Sequence, residues 1–295
     1  MSTNSTPATS RLTRTWVRMG DQRLLARLLR SPRGLFGLVT IVLLVLLAIF
    51  AEWLAPANPN ELVGAPLQPP FSDGTILGTD DIGRDVFSNL VIASRASLRV
   101  GVLAAALAVL IGTVVGSIAG YFGGVVDAFL MRIAEMFQVV PGFAFAIVMA
   151  AVFDASINAV AVIIALTAWS QVARIVRAQF LSLRSREFVQ AASVAGFSSR
   201  HIIASEVLPN ALPPVLVQVA LDVGTAILME AGLSFLGVGD PNVPTWGQML
   251  NSAQIFLGQA WWLSVFPGAA ILLTVVAFNM LADGLNEALG AGSKR

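Results

Sequence analysis

Between Leu35 and Ala51 the chain carries no charged side chain, and runs nearly as apolar recur along the rest of it. A helix needs about 20 such residues to cross the ~30 Å hydrocarbon layer of a bilayer. Inside that layer no water is present to pair with open backbone groups. The runs are therefore read as membrane-spanning helices, and the composition agrees. Charged residues make up 12% of the chain, about half the ~25% of a soluble domain, and the mean hydropathy is +0.79.

Several chemistries are closed off by residue types alone. There is no cysteine, hence no disulfide or thiolate metal site, and one histidine, His201, cannot build a histidine metal centre. The only lysine is Lys294, close to the end of the chain. A phosphate-binding loop of the Gly-Lys-Ser/Thr type needs a lysine opening a helix, so any ATP that drives this protein is hydrolysed by another chain. No metal site, nucleic-acid contact or catalytic residue is expected.

Residues 1–33 form a polar and then basic tail. Arg11 to Arg33 holds seven arginines and one acid. Leu24, Leu25, Leu28 and Leu29 share one helical face and Arg23, Arg27 and Arg30 the other. An amphipathic helix on an anionic membrane surface and a merely solvated tail both fit. Either way, an excess of arginine places this end in the cytoplasm.

The first span is expected over residues 34–54. Ala55-Pro56-Ala57 faintly resembles a signal-peptidase site, but the apolar run and the tail before it are long for a signal peptide, so the helix is read as retained. Residues 55–98 form an external segment, whose five prolines between Pro56 and Pro70 forbid a long helix in its first half. Asp80, Asp81 and Asp85 around Arg84 fit either a hard-cation site or turn, capping and ion-pair chemistry, and the second reading is favoured.

A five-helix core follows over residues 99–290. Its second span runs from about Val100 to Tyr121, where Ala108, Gly112, Gly116 and Gly120 recur every fourth residue and mark a close-packing face. The third, about Met131 to Phe153, is bent or broken at Pro141-Gly142. The fourth is about Ile157 to Ile175 and is followed by four arginines. The fifth, about Ala211 to Leu236, opens at Pro209 and carries Glu230 near its far end, either on a translocation path or at the interface. Trp246, Trp261 and Trp262 are expected in an interfacial aromatic belt. The sixth is about Trp262 to Leu281; Asn279, Asp283 and Asn286 on one face of its inner end either bond across helices or mark the exit to water. Residues 291–295 close the chain in the cytoplasm. The fold class is an all-α integral membrane protein with six spans and both ends inside.

The segment from Arg184 to Asn210 is too long for a simple turn between spans. Ser185 is placed to cap a helix with Glu187 in its first turn. Phe188, Ala191, Ala192 and Ala195 fall on one face, an aromatic knob beside small residues. Gly196 stops that helix, Ser198 or Ser199 caps a second one to about Val207, and Leu208-Pro209 launches the fifth span. A knob on a stiff lever at the membrane mouth is what a partner grips; an ornate loop with no partner is the plainer reading.

The order Gln190-Ala191-Ala192, Gly196, Leu208-Pro209 resembles the cytoplasmic Glu-Ala-Ala signature loop of ABC importer permeases, with Gln190 where Glu is usual and Glu206 where Ile is usual. Leu77-Gly78-Thr79-Asp80, Gly83-Arg84-Asp85, Ser94-Arg95-Ala96-Ser97-Leu98, Glu230-Ala231-Gly232-Leu233-Ser234-Phe235-Leu236-Gly237, Trp246-Gly247-Gln248-Met249-Leu250 and Phe266-Pro267-Gly268 resemble the dipeptide/oligopeptide/nickel permeases of the C type. The resemblance implies the type I ABC importer permease fold in a bacterial cytoplasmic membrane. It further implies a homologous second permease as heterodimer partner, two ATPase subunits that use ATP and magnesium, and an external binding protein delivering di- or oligopeptides. Nickel chelates and glutathione are carried by relatives. From a different class, an ATP-independent secondary transporter predicts broken helices in paired halves, and only Pro141-Gly142 offers one.

Overall fold

The computed structural model describes residues 25–72, 74–153 and 156–290, and the regular structure among them is helical apart from two isolated bridges, Leu62 with Arg84 and Thr79 with Asp85. The basic tail before residue 25, Asp154 and Lys294-Arg295 lie outside the described residues. Residues 25–30 are helical. Leu28 there is buried while Leu25 and Leu29 are exposed, so the leucines do not form one free stripe.

The first span is α1 (Pro32–Ile49), opened by Ser31, whose Oγ accepts from the Gly34 amide. A one-turn helix, α2 (Ala51–Leu54), follows it. The second span, α3 (Val86–Phe122), begins well before Val100. Its start is fixed by Asp85, whose carboxylate accepts from both the amide and the hydroxyl of Ser88. Arg95 and Arg99 make this first part look polar, but Arg95 is a staple. Its guanidinium donates to the Ala48 and Ile49 carbonyls at 2.6 and 2.9 Å and to Glu52, satisfying the open end of α1.

The third span is broken. Helices α4 (Gly124–Val139) and α5 (Gly142–Val152) meet at Val140-Pro141 with an 85° bend. Val140 is extended, Pro141 has a non-helical ψ of 114°, and the proline supplies no amide for a helical bond. Phe137 fills the elbow edge-on to Phe145 and Trp169. The fourth span is α6 (Ile157–Arg184), capped by Ser156. After the short helices α7 (Glu187–Val194) and α8 (Ser199–His201), a π-helical run, Ile202–Val207, leads without interruption into α9 (Leu208–Phe235). Then come α10 (Trp246–Ala253) and the last span, α11 (Trp262–Gly290). Among the described residues five helices are long and apolar enough to cross a membrane, or six when α4 and α5 count as one bent span.

Glycine contacts set how closely these helices approach. A Cβ on Gly112, Gly116 or Gly120 of α3 would lie 2.4–2.6 Å from Val172, the Ala173 carbonyl or Phe180 of α6. The four-residue glycine repeat is thus spent on the α3–α6 contact, where backbone meets backbone. Gly101 does the same against Ile227 of α9, and Gly34 meets Gly284 where α1 docks on α11. The bundle has two ends. One, the arginine face, carries Arg177, Arg184, α7 and α8. The other, the aspartate face, carries Asp80, Asp81, Asp85, Asp240 and α10.

Candidate functional site

Helix α7 stands on the arginine face. Its N-cap is Arg186 rather than Ser185, which instead ends α6 and donates from Oγ to the Ser182 carbonyl. No side chain caps α7, and the Gln190 amide donates back to the Ser185 carbonyl at 3.3 Å. Glu187 lies in the first turn, exposed, where a negative charge suits the helix dipole. Gly196 adopts φ +82°, its amide reaching the Ser193 carbonyl and the Phe197 amide the Ala192 carbonyl. This double bond across a left-handed residue closes the helix end.

Val189 holds α7 in place. It is 4% exposed and packs with Phe180 of α6 and Ile202 and Val207 of the π-helical run. The residues flanking Val189 point elsewhere: Phe188, Gln190, Ala191 and Ala195 are exposed and Ala192 is half-buried. Val194 and Phe197 extend the uncovered apolar surface, and Phe197 stacks on His201 with ring centres 4.7 Å apart. Ser198 caps α8 by accepting from the His201 amide. No break follows Val207. Leu208 is half-buried, Pro209 sits in the first turn of α9, and Asn210 donates to the Glu206 carbonyl at 2.7 Å. The knob is thus fixed through one buried valine to α6 and to the π-helical run, and that run is continuous with α9.

The family-like motifs of the other face pack together into one unit. Asp80 accepts from the Ile82 and Arg84 amides and from Arg84 Nε at 2.6 Å, so it organises a turn. Among the described residues no cluster of three acid or histidine groups is placed to hold a metal ion. Ser97 of α3 accepts from the Trp246 amide, and the Trp246 indole donates to the Leu90 carbonyl at 3.0 Å. The Trp262 indole donates to the Thr79 carbonyl at 3.2 Å. Both rings are buried, so Trp246 and Trp262 are internal anchors rather than members of an aromatic belt; only Trp261 of the three is exposed. Their indole N–H groups meet carbonyls distant in sequence, which local residue patterns do not show.

Glu230 belongs to the same packed unit. It is 2% exposed, and its Oε1 accepts from Ser234 at 2.7 Å while Oε2 meets no donor within hydrogen-bond geometry. Gly247 of α10 sits against Ala231, where a Cβ would be 2.6 Å from the carbonyl. The carboxylate therefore lies beneath the seat of α10, inside the protein, and neither lines an open path nor reaches the interface. Asp222, in the middle of α9, is a residue that the sequence reading misses. It is buried, with Oδ1 bonded to the Gln218 amide at 2.7 Å and Oδ2 unpaired. Its signal is present in the residues, since an acid inside an apolar run is rare and costly. Gly112 and Gly116 serve the α3–α6 contact and Pro141 the bend. Asn279 and Asp283 of α11 are exposed and bond to nothing in the described chain.

The chain is similar to known proteins in sequence and in fold. Residues 112–295 match the family described as binding-protein-dependent transport system inner membrane component, and residues 22–70 match the N-terminal transmembrane domain of oligopeptide transport permease C. The dipeptide transport system permease protein DppC of Escherichia coli K12 is 43% identical over 267 residues, covering 88% of this chain and 89% of that protein. The probable D,D-dipeptide transport system permease protein DdpC of the same strain is 38% identical, covering 95% of each. The glutathione transport system permease protein GsiD of Escherichia coli O6:K15:H31 is 36% identical, covering 89% and 88%. A solved structure of the MetNI methionine ABC transporter, inward facing, has a similar fold, with a TM-score of 0.57 at 17% identity over 67% of this chain and 94% of that one. With glycine-faced spans, a broken third span and a short helix held rigidly at one membrane face, the chain belongs to the binding-protein-dependent inner membrane permeases of ABC importers.

Proposed function

We propose that this chain forms half of the translocation path of an ATP-driven importer of di- and oligopeptides. The observation that carries the reading is α7: Val189 is sunk in the bundle while Phe188 stands out beside the small side chains Ala191, Ala192 and Ala195. Such a knob enters a cleft on a partner, and its packing through Val189 on α6 and on the π-helical run that opens α9 carries the partner's movement into the spans. The arginine face is cytoplasmic, because positive charge is retained on that side of the membrane, and both termini lie there.

The rest of the machine belongs to the same proposal. The knob docks on one of two ATPase subunits, which use ATP and magnesium; this chain binds neither and catalyses nothing. A homologous second permease completes the path, and an external binding protein delivers peptide to the aspartate face. Closure of the ATPase pair then rocks the spans between inward- and outward-facing states. The peptide assignment is supported by the named specificities of the relatives.

The test is reconstitution of the chain with the second permease, the ATPases and the binding protein encoded with it. ATP-dependent uptake of labelled dialanine is expected, with glutathione as competitor. Uptake of glutathione that dialanine does not inhibit contradicts the peptide assignment. Uptake driven by an ion gradient, without the ATPases, contradicts the importer reading altogether.

A further inference from the structure

The motif-built aspartate face encloses a cleft of about 300 Å³ between the connection 55–85, the start of α3 and the connection containing α10. Its wall carries one unpaired carboxylate, Asp81, and the ion pair of Arg84 with Asp80. Asp81 makes no bond to the described chain. Arg84 spends Nε on Asp80 and keeps both terminal nitrogens free. Four side-chain amides join them. Asn89 is only 9% exposed; its N–H₂ donates to the Asp85 carbonyl and its oxygen has no partner. Gln248 donates to the Pro241 carbonyl and likewise keeps its oxygen. Asn60 and Asn242 keep their side chains free, and Ile92 and Met249 supply apolar wall.

This inventory describes a ligand. A carboxylate and a guanidinium in one small cleft match a molecule with an ammonium and a carboxylate of its own. Amide side chains, able to donate and accept, match a peptide unit. The volume lies at the low end for ligand sites, about 300–1,000 Å³. An extended dipeptide separates its charged ends by roughly 7 Å, a span that fits a cleft of this size.

We propose that this cleft is a subsite for short free peptides, which takes the ammonium on Asp81, the carboxylate on Arg84 and the peptide unit on the amides around Asn89. It rests on the peptide reading above and adds a place where the substrate is held on this chain, apart from the binding protein. Arg84 and Asp85 also hold the local fold, so Asp81 and Gln248 are the positions to vary.

The experiment uses the complete transporter in lipid nanodiscs, without ATP and without binding protein. Dialanine, N-acetyl-dialanine and dialanine amide are titrated by calorimetry against wild type, Asp81→Asn and Gln248→Leu. Expected is binding of dialanine that weakens about tenfold or more in Asp81→Asn, the loss typical of a hydrogen bond to a charged group. Blocking either terminus should weaken binding to wild type, and blocking the amino end should matter little in Asp81→Asn. Equal affinity in wild type and both variants, or indifference to blocked termini, overturns the proposal. So does an Asp81→Asn that weakens association with the binding protein while leaving dialanine titrations unchanged, since the cleft is then a docking contact. ATP-driven dialanine uptake is measured on the same preparation with binding protein added. Uptake by wild type with no dialanine binding in the titration removes only this inference. Absence of dialanine uptake removes the peptide reading and this inference with it.

Discussion

Arg177 grips Asp127 through two parallel bonds, Nε to Oδ1 and Nη2 to Oδ2, the second at 2.6 Å. The pair joins the start of α4 to α6 on the arginine face, and the carboxylate side chain is only 14% exposed. Because the pair is forked, lysine cannot reproduce it. Asp127→Asn and Arg177→Lys are each expected to lower stability by about 1 kcal/mol, a value reduced for solvent at the partly exposed arginine. Thermal unfolding of the detergent-solubilised protein measures this, and the double variant should lose less than the sum of the two.

The α3–α6 contact predicts a sharp contrast between two glycines. Gly116→Val must push a side chain into the Ala173 carbonyl, 2.4 Å from the Cβ, whereas Gly268 of α11 has open space at that position. Gly116→Val should cost about 1–3 kcal/mol by overpacking. Gly268→Ala should be neutral or slightly stabilising, since it removes a flexible residue from a helix. Melting temperatures of the two variants in one detergent decide it.

Glu230 supports the seat of α10, so its removal should be read there. Glu230→Ala leaves Ser234 without its acceptor beside the Trp246 anchor and is expected to cost about 1–3 kcal/mol. Glu230→Gln keeps an acceptor and should cost less. Limited proteolysis of the connection 236–245 should become faster in the alanine variant. Unchanged cleavage in a folded Glu230→Ala protein contradicts the role.

These contrasts also show what is legible in the residues. The spans and the Gly112–Gly116–Gly120 face follow from period and apolarity, and Pro141-Gly142 marks the bend. The start of α3 is not legible, because Arg95 looks like a reason for a helix to stay in water until Ala48 and Ile49 are seen to receive its guanidinium. Trp246 and Trp262 are misplaced for the same cause, their partners being Leu90 and Thr79, far away in sequence. In the α7 segment the exposed knob and the Gly196 stop can be read locally. Val189 cannot, since its burial comes from Phe180, Ile202 and Val207, which meet it from other elements. Nor can the π-helical run that fuses the segment to α9.

On the proposed function, α7 couples an ATPase to the spans. Phe188 is exposed and lies outside the buried cluster around Val189, and Gly196 has open space at its Cβ position, so neither Phe188→Ala nor Gly196→Trp should unfold the bundle. Gly196→Trp adds a left-handed strain of about 1–2 kcal/mol at the helix end. The decisive measurement is ATP hydrolysis and labelled-peptide uptake by the reconstituted complex carrying each change. Expected are weakened copurification of the ATPase in Phe188→Ala and hydrolysis no longer matched by uptake in Gly196→Trp, with the melting temperature of the permease close to wild type in Phe188→Ala. Wild-type uptake and wild-type ATPase recovery in both variants would contradict it.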